Sequence, residues 1–411
     1  MKQLILTLTT LSLLLSGCTT LSEGVYEEAL LDLTVQALYP EEHSDYCREG
    51  VRVVAEEVTS LARYASLTDT EGVARFRLIK GIYRISINDR TEEAIFNGLN
   101  DQVRLTDQAQ TIRLPLTFSR PGNILIKEVY CGGCSKAPQE GYYQSDRYFI
   151  LHNNSPEVLY LDGLMFGTLD PYNSNAPSGN VWTEEDPATG GVLFREYAPV
   201  VEAVWRLPGH GEEFPLQPGE DAVVVINGAI DHTAQYPLSV NLNHPEYFVC
   251  YNPTLYENVT YHPTPGDQIS PSRYCEAFKV GKSKGYIISV NSPTLILFRA
   301  PEEVDIDAYL KDLNLSTITK PGSSEICIKI PWEWVLDGVE VYNGSASNNE
   351  KRLPDAVDAG FVNFSSPYLG HTLHRHLDEA ASEEAGYAIY CDTNNSSADF
   401  YEREEQSLKS L

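Results

Sequence analysis

The sequence predicts a mostly β protein built as two sandwiches, a smaller one first and a larger one with long loops behind it. Three observations predict this. Apolar residues alternate with polar ones at Leu31, Leu33, Val35 and Ala37, and again at Ile112, Leu114 and Leu116, the period of a half-buried strand. The apolar runs end at turn chemistry such as Asp69-Thr70-Glu71-Gly72, Lys80-Gly81, Asp162-Gly163 and Pro218-Gly219. Helical patterning is confined to two short stretches, Val304 to Leu313 and Leu377 to Glu384.

The chain opens with the pattern of a bacterial lipoprotein leader. Lys2 supplies a basic start, and an apolar run from Leu4 to Leu15 comes next, diluted by threonines. Small Ser16 and Gly17 then precede Cys18. The run is too short to span a bilayer as a lasting helix, so residues 1–17 read as a removed export signal. Cys18 is the expected site of lipid attachment, and residues 18–30 form a polar, acidic tether.

Residues 31–119 make the first sandwich. Leu31 to Leu38 is a strand, and Gly50-Val51-Arg52-Val53 starts another. The Asp69 to Gly72 turn leads into a strand from Val73 to Leu78. Lys80-Gly81 turns again into a strand from Ile82 to Ile87 that carries Tyr83, and Thr111 to Phe118 closes the unit. The order of "D-x-x-G" turn, strand, "G-x-Y" and strand resembles the transthyretin-like, carboxypeptidase-regulatory β-sandwich. Ser119-Arg120-Pro121-Gly122 marks the boundary.

Residues 122–402 make the second unit. Strands are expected at Ile124 to Tyr130, in Asp146 to Ser155 up to its closing Asn153-Asn154-Ser155 turn, at a short piece from Leu159 before the Asp162-Gly163 turn with another strand after it, and at Ala222 to Ile226, Ser239 to Leu242, Ile287 to Val290, Leu295 to Phe298 and Ile326 to Ile330. Residues 167–200 and 251–274 lack periodicity and read as long loops, where binding contacts are commonly found. The run Ile126-Lys127-Glu128-Val129, with Asp146-Arg147-Tyr148-Phe149-Ile150-Leu151-His152-Asn153 after it, resembles the opening of the lamin-tail domain, an immunoglobulin-like sandwich. Leu151 or His152 stands where that family carries an acid, so its surface chemistry does not transfer. With the blocks at Arg352 to Gly360 and Cys391 to Phe400, most of the mature chain resembles a lipoprotein family of Bacteroidota labelled only as a domain of unknown function. In that family a transthyretin-like module precedes a lamin-tail-like one. The resemblance implies a fold and a location but no activity. Residues 403–411 read as a polar tail.

The formal charge of −28 excludes nucleic acid as a partner and opposes binding of the protein body to anionic lipid. Setting Cys18 aside, seven cysteines remain, an odd number, so at least one thiol is free or pairs between molecules. Cys131-Gly132-Gly133-Cys134 has C-x-x-C spacing. The next residues, Ser135, Lys136, Ala137, Pro138 and Gly141, suit a loop rather than a helix. A local disulfide bracing a surface loop is therefore expected, ahead of redox or zinc chemistry. His371, His374 and His376 form the densest imidazole cluster, read as a solvated stretch with metal or haem binding as the alternative. Arg352, Asp355 and Asp358 surround Pro354 and are expected to fix their loop. Trp332-Glu333-Trp334 is expected to place two indoles on one strand face, as core or as a platform for sugars or a partner.

No G-x-S-x-G elbow, phosphate loop or H-E-x-x-H motif is present. The expected function is therefore non-catalytic, with no catalytic residue, metal or cofactor assigned. The chain is expected to be a lipid-anchored outer-membrane protein that binds a surface ligand or partner, with a TonB-dependent transporter as one candidate. An adhesive or structural envelope component is the alternative, and a metal or haem receptor a third. Surface display is favoured over a periplasmic face, although Thr19-Thr20-Leu21-Ser22 separates Cys18 from the first acid, Glu23.

Overall fold

A computed structural model describes residues 30–91, 94–119, 122–176, 179–187 and 191–410. Cys18 and the leader lie outside the described residues. The chain is mostly β, as its patterning requires. No helix among the described residues is long and apolar enough to cross a membrane.

Strand Leu31–Leu38 sits at the centre of a three-stranded sheet, antiparallel to Val73–Leu78 and parallel to Gln110–Pro115. A five-stranded sheet faces it, in the order Arg63–Leu67, Arg52–Glu57, Gly81–Arg90, Ile95–Leu105, Thr117–Ser119. Leu33, Val35, Val53, Phe76, Ile85, Ile87 and Phe96 fill the space between. The Asp69 turn works as its residues demand. The Asp69 carboxylate accepts the Glu71 and Val73 amides at 3.0 Å each, and Gly72 takes φ +74°. Tyr83 is buried, and its hydroxyl donates to the Ile79 carbonyl at 2.9 Å.

The single closing strand expected from Thr111 to Phe118 is in fact two. Pro115 has no N–H to continue a ladder. The Leu116 amide donates to the Leu38 carbonyl, and the chain then crosses to the opposite sheet as Thr117–Ser119. Two strands had no sequence signal. Arg63–Leu67 is an edge strand with little burial, and Ile95–Leu105 is interrupted by Asn97, Gly98 and Asn100. Gly98 permits a close approach there, since a Cβ would meet Leu116 at 2.6 Å.

The second unit packs two larger sheets. One runs Phe248–Val249, Asp221–Val225, Tyr148–Asn153, Ile124–Tyr130, Thr372–Arg375, Phe400–Arg403. The other runs Thr317–Thr319, Ile326–Pro331, Tyr197–Arg206, Met165–Leu169, Thr294–Phe298, Val335–Tyr342, Val362–Asn363, with Glu276–Lys279 paired to Tyr197–Arg206. Ile126, Phe149, Phe166, Trp205, Leu297 and Leu373 belong to the core between them. The outer faces are covered as well. Tyr148 and Val225 pack under Leu242, Ile269 and Leu408, while Ile296 and Ile330 pack under Leu310, Trp334 and Leu353. Burial on both faces explains why Ile124–Tyr130, Tyr148–Asn153 and Thr294–Phe298 are buried along their whole length.

Several local expectations change. The stretch 167–200 is not structureless: it holds most of Met165–Leu169, the hairpin Thr183–Glu185 with Val192–Phe194, and the start of Tyr197–Arg206. Ser239 to Leu242 and Ile287 to Val290 are not strands. Buried side chains take backbone carbonyls near the second of these, Arg147 that of Ile288 at 2.6 Å and Asn227 that of Tyr286 at 2.7 Å. The short helices Ile306–Lys311 and Glu379–Ala385 form where expected, capped by Asp305 and Asp378. Residues 403–410, polar in composition, return onto the first sheet of this unit. The Ser407 amide and the Arg403 guanidinium both reach Glu128, and Leu408 is buried.

Candidate ligand cleft and the buried polar groups

A cleft of about 1010 Å³ opens at the rim of the larger unit, beside the point where the chain leaves the first sandwich. Its walls come from far-apart segments: Tyr160, Glu212, Arg299, Trp332, Leu336 and Val357 among them. Strand Thr294–Phe298 delivers Arg299, whose amide donates to the Trp334 carbonyl and whose guanidinium donates to the Tyr160 carbonyl at 2.7 Å. Pro331 ends a strand and the chain turns as a 3-10 segment through Trp332–Trp334. The two indoles therefore do not share a strand face, although both pack against one apolar cluster. Trp334 is buried against Tyr309, whereas Trp332 stays half-buried on the cleft wall. The Trp332 indole N–H donates to the Arg195 carbonyl at 2.6 Å, which holds the ring. Asp162 accepts the Glu213 and Phe214 amides at 2.9 Å and so fixes the turn that carries Glu212. Of the lining residues named, only Trp332 was visible in the sequence. The others are ordinary residue types brought together by sheet order.

Asp337 lines the cleft floor and belongs to a buried network. Arg375 donates to Asp337 at 2.7 Å and to Asp392 and Asp399 at 3.3 Å each. Burial opposes the Arg375 charge, but three carboxylates outweigh it and its pKa rises. Burial lifts Asp399 to about 7. Asp392 also accepts the Gly122 amide, and its carbonyl accepts Arg90 from the first sandwich at 2.8 Å. Asn88 and Asn97 both donate to the Thr393 carbonyl. This network has no sequence signature, because its members lie on separate elements.

Cys131 and Cys134 are both buried, and each described cysteine, these two included, is a free thiol in the structure. Gly133 at φ +71° reverses the chain, and Cys134–Ser135 pairs with Tyr142–Tyr143. Cys131 enters the inter-sheet core while the Cys134 sulfur lies 3.9 Å from Asp146. Burial pushes both thiols up to about 12. Asp146 is itself fully buried, bonded to Tyr130 and Ser239 through one oxygen, with no partner for the other; burial raises it to about 6.

The histidine stretch is solvated only in part: His376 is exposed and His371 half-buried, while His374 is buried. Strand Thr372–Arg375 is wholly buried, because it pairs with both Ile124–Tyr130 and Phe400–Arg403. His371 lies 2.6 Å from Glu402, His374 lies 2.6 Å from the Arg375 carbonyl, and His376 stacks on Tyr401. Each imidazole thus has its own local partner. Among the described residues no group of three His, Cys, Asp or Glu side chains is placed to hold a metal ion. Around Pro354, Arg352 and Asp358 fix the loop, while Asp355 is exposed. Asp358 accepts the Glu340, Gly360 and Ser396 amides, and Arg352 pairs with Glu340 at 2.6 Å.

A family model described as a protein of unknown function, DUF4876, matches residues 217–407. The crystal structure of a DUF4876 family protein from Bacteroides thetaiotaomicron is 26% identical, covering 90% of this chain and 94% of that one with a TM-score of 0.57. The resemblance to a family of unknown function is therefore supported, and so is the mostly β fold. The Bacillus anthracis TIE protein is 12% identical over 47% of this chain and 32% of that one, with a TM-score of 0.18. A streptococcal ancillary pilin is 13% identical over 47% of this chain and 60% of that one, also at 0.18. Likeness that low carries no functional argument. No curated protein matches the chain.

Proposed function

We propose that this protein is an exported, lipid-anchored binding protein, without catalytic activity, that holds its ligand in the cleft beside Trp332. One observation carries the reading. Trp332, Tyr160, apolar Leu336 and Val357, Arg299, Glu212 and Glu333 line a space large enough for a sizeable organic ligand. Aromatic side chains beside mixed donors and acceptors suit a ligand with an apolar face and a polar rim, and a carbohydrate has that form. Anchoring through Cys18 rests on the leader pattern, and the strongly acidic body suits solubility at an envelope surface.

The test uses the chain from residue 30 on an array of soluble oligosaccharides. Binding should fall at least about tenfold in Trp332→Ala, the loss expected for an anchoring aromatic. Identical array profiles for the two proteins would remove the cleft from the function. Co-purification of the anchored protein with an outer-membrane transporter would make it an accessory to uptake. Acyl chains on the Cys18 peptide by mass spectrometry test the anchor, and protease shaving of intact cells tests which face it occupies.

A further inference from the structure

Two cysteines distant in sequence stand side by side. Strand Phe248–Val249 adds in parallel to Asp221–Val225, with Val225 opposite Val249. Val249 bridges in parallel to Tyr274, and the Cys275 amide donates to the Val249 carbonyl at 2.8 Å. One residue further along that register, Cys250 faces Cys275. Both are buried in the inter-sheet core as free thiols. Parallel neighbours lie about 4.8 Å apart, inside the Cα separation a disulfide spans. The Cys250 amide is held by the Val225 carbonyl at 2.9 Å, and its own carbonyl lies 3.1 Å from the His262 ring, so backbone bonds clamp the site.

We propose that Cys250 and Cys275 are oxidised to a disulfide in the mature protein, closing residues 250–275 into a covalent loop. The two S–H bonds break, one S–S bond forms, and two protons leave. The electron pair passes to the disulfide of a thiol oxidase, which is reduced to a dithiol. Such an oxidant acts in the compartments that an export signal leads to, so the bond in the cell rests on the export reading. The loop it closes carries Tyr256 and Ile269 into two different apolar clusters, and the bond ties its two ends together.

The test does not depend on export. The full chain is unfolded in urea and refolded through a glutathione redox buffer. Free thiols are then trapped with N-ethylmaleimide in denaturant and mapped after digestion. Cys250 and Cys275 should be recovered as one cross-linked, unlabelled peptide pair. Label on both would overturn the assignment. Cys250→Ala keeps a small apolar side chain in the core, so it should still fold. It should leave Cys275 labelled and lower Tm under oxidising conditions, and Cys275 remaining unlabelled in this variant would equally overturn the pairing.

Discussion

Glu340 and Arg352 face each other with both side chains 0% exposed. The Glu340 carboxylate also takes the Thr294 hydroxyl and the Arg352 and Leu353 amides, and Arg352 reaches the Pro171 and Ser292 carbonyls. Removing one partner leaves a buried charge without its counter-ion. Arg352→Ala should therefore cost about 3–5 kcal/mol in urea unfolding, and the double variant with Glu340→Gln should recover part of it. Asp146 makes the opposite case, a lone buried acid. Its pKa is near 3.9 in an unfolded chain and about 6 in the fold. Between those values the folded chain binds more protons, so stability falls as pH rises. The contribution is complete below about pH 4 and lost as pH passes about 6. Relative to Asp146→Asn, the native protein should lose on the order of 3 kcal/mol between about pH 4 and 7. Parallel pH profiles for the two proteins would show that Asp146 does not titrate in this window.

At the scale of elements, glycine positions and proline breaks decide what pattern alone leaves open. Gly72 is left-handed, and a Cβ on it would lie 2.9 Å from the Cys47 sulfur. Gly72→Ala should lower stability by about 1–2 kcal/mol, read as a drop in Tm, while the neighbouring exposed Glu71→Ala should be nearly neutral. The period-two segments were legible because one face is wet: Leu31–Leu38 matches its alternation residue for residue. Val335–Tyr342 was illegible because it is buried over most of its length and interrupted by Asp337 and Gly338. The Trp332 turn was misread for a related reason. Indoles two apart fit a strand, and only Pro331 hinted that the strand stops there.

For the whole molecule, the first sandwich has its own apolar core, and its five-stranded sheet meets the second unit at Asp392, Thr393 and Phe361. Asn97 is 1% exposed although polar, because the Thr393 carbonyl satisfies it. Replacing Asn97 and Arg90 together by alanine should free the first sandwich. Calorimetry would then resolve two transitions in place of one, and scattering would report a larger radius of gyration. A single unchanged transition would mean that the contact does not couple the units. Gly122 and Asn394, beside this junction, also line the cleft, so the same variant should weaken any ligand bound there.

Local rules read from the chain alone were sufficient for the β class, the Asp69 turn, the strands with one solvated face and the two short capped helices. Each depends on neighbours within a few residues, where alternation, capping and φ preferences act. The cleft around Trp332, the Arg375 carboxylate network, the burial of His374 and the register that sets Cys250 beside Cys275 were decided only in three dimensions. Their members are separated along the chain and meet because sheet order and two covered faces bring them together. No short-range preference encodes that meeting.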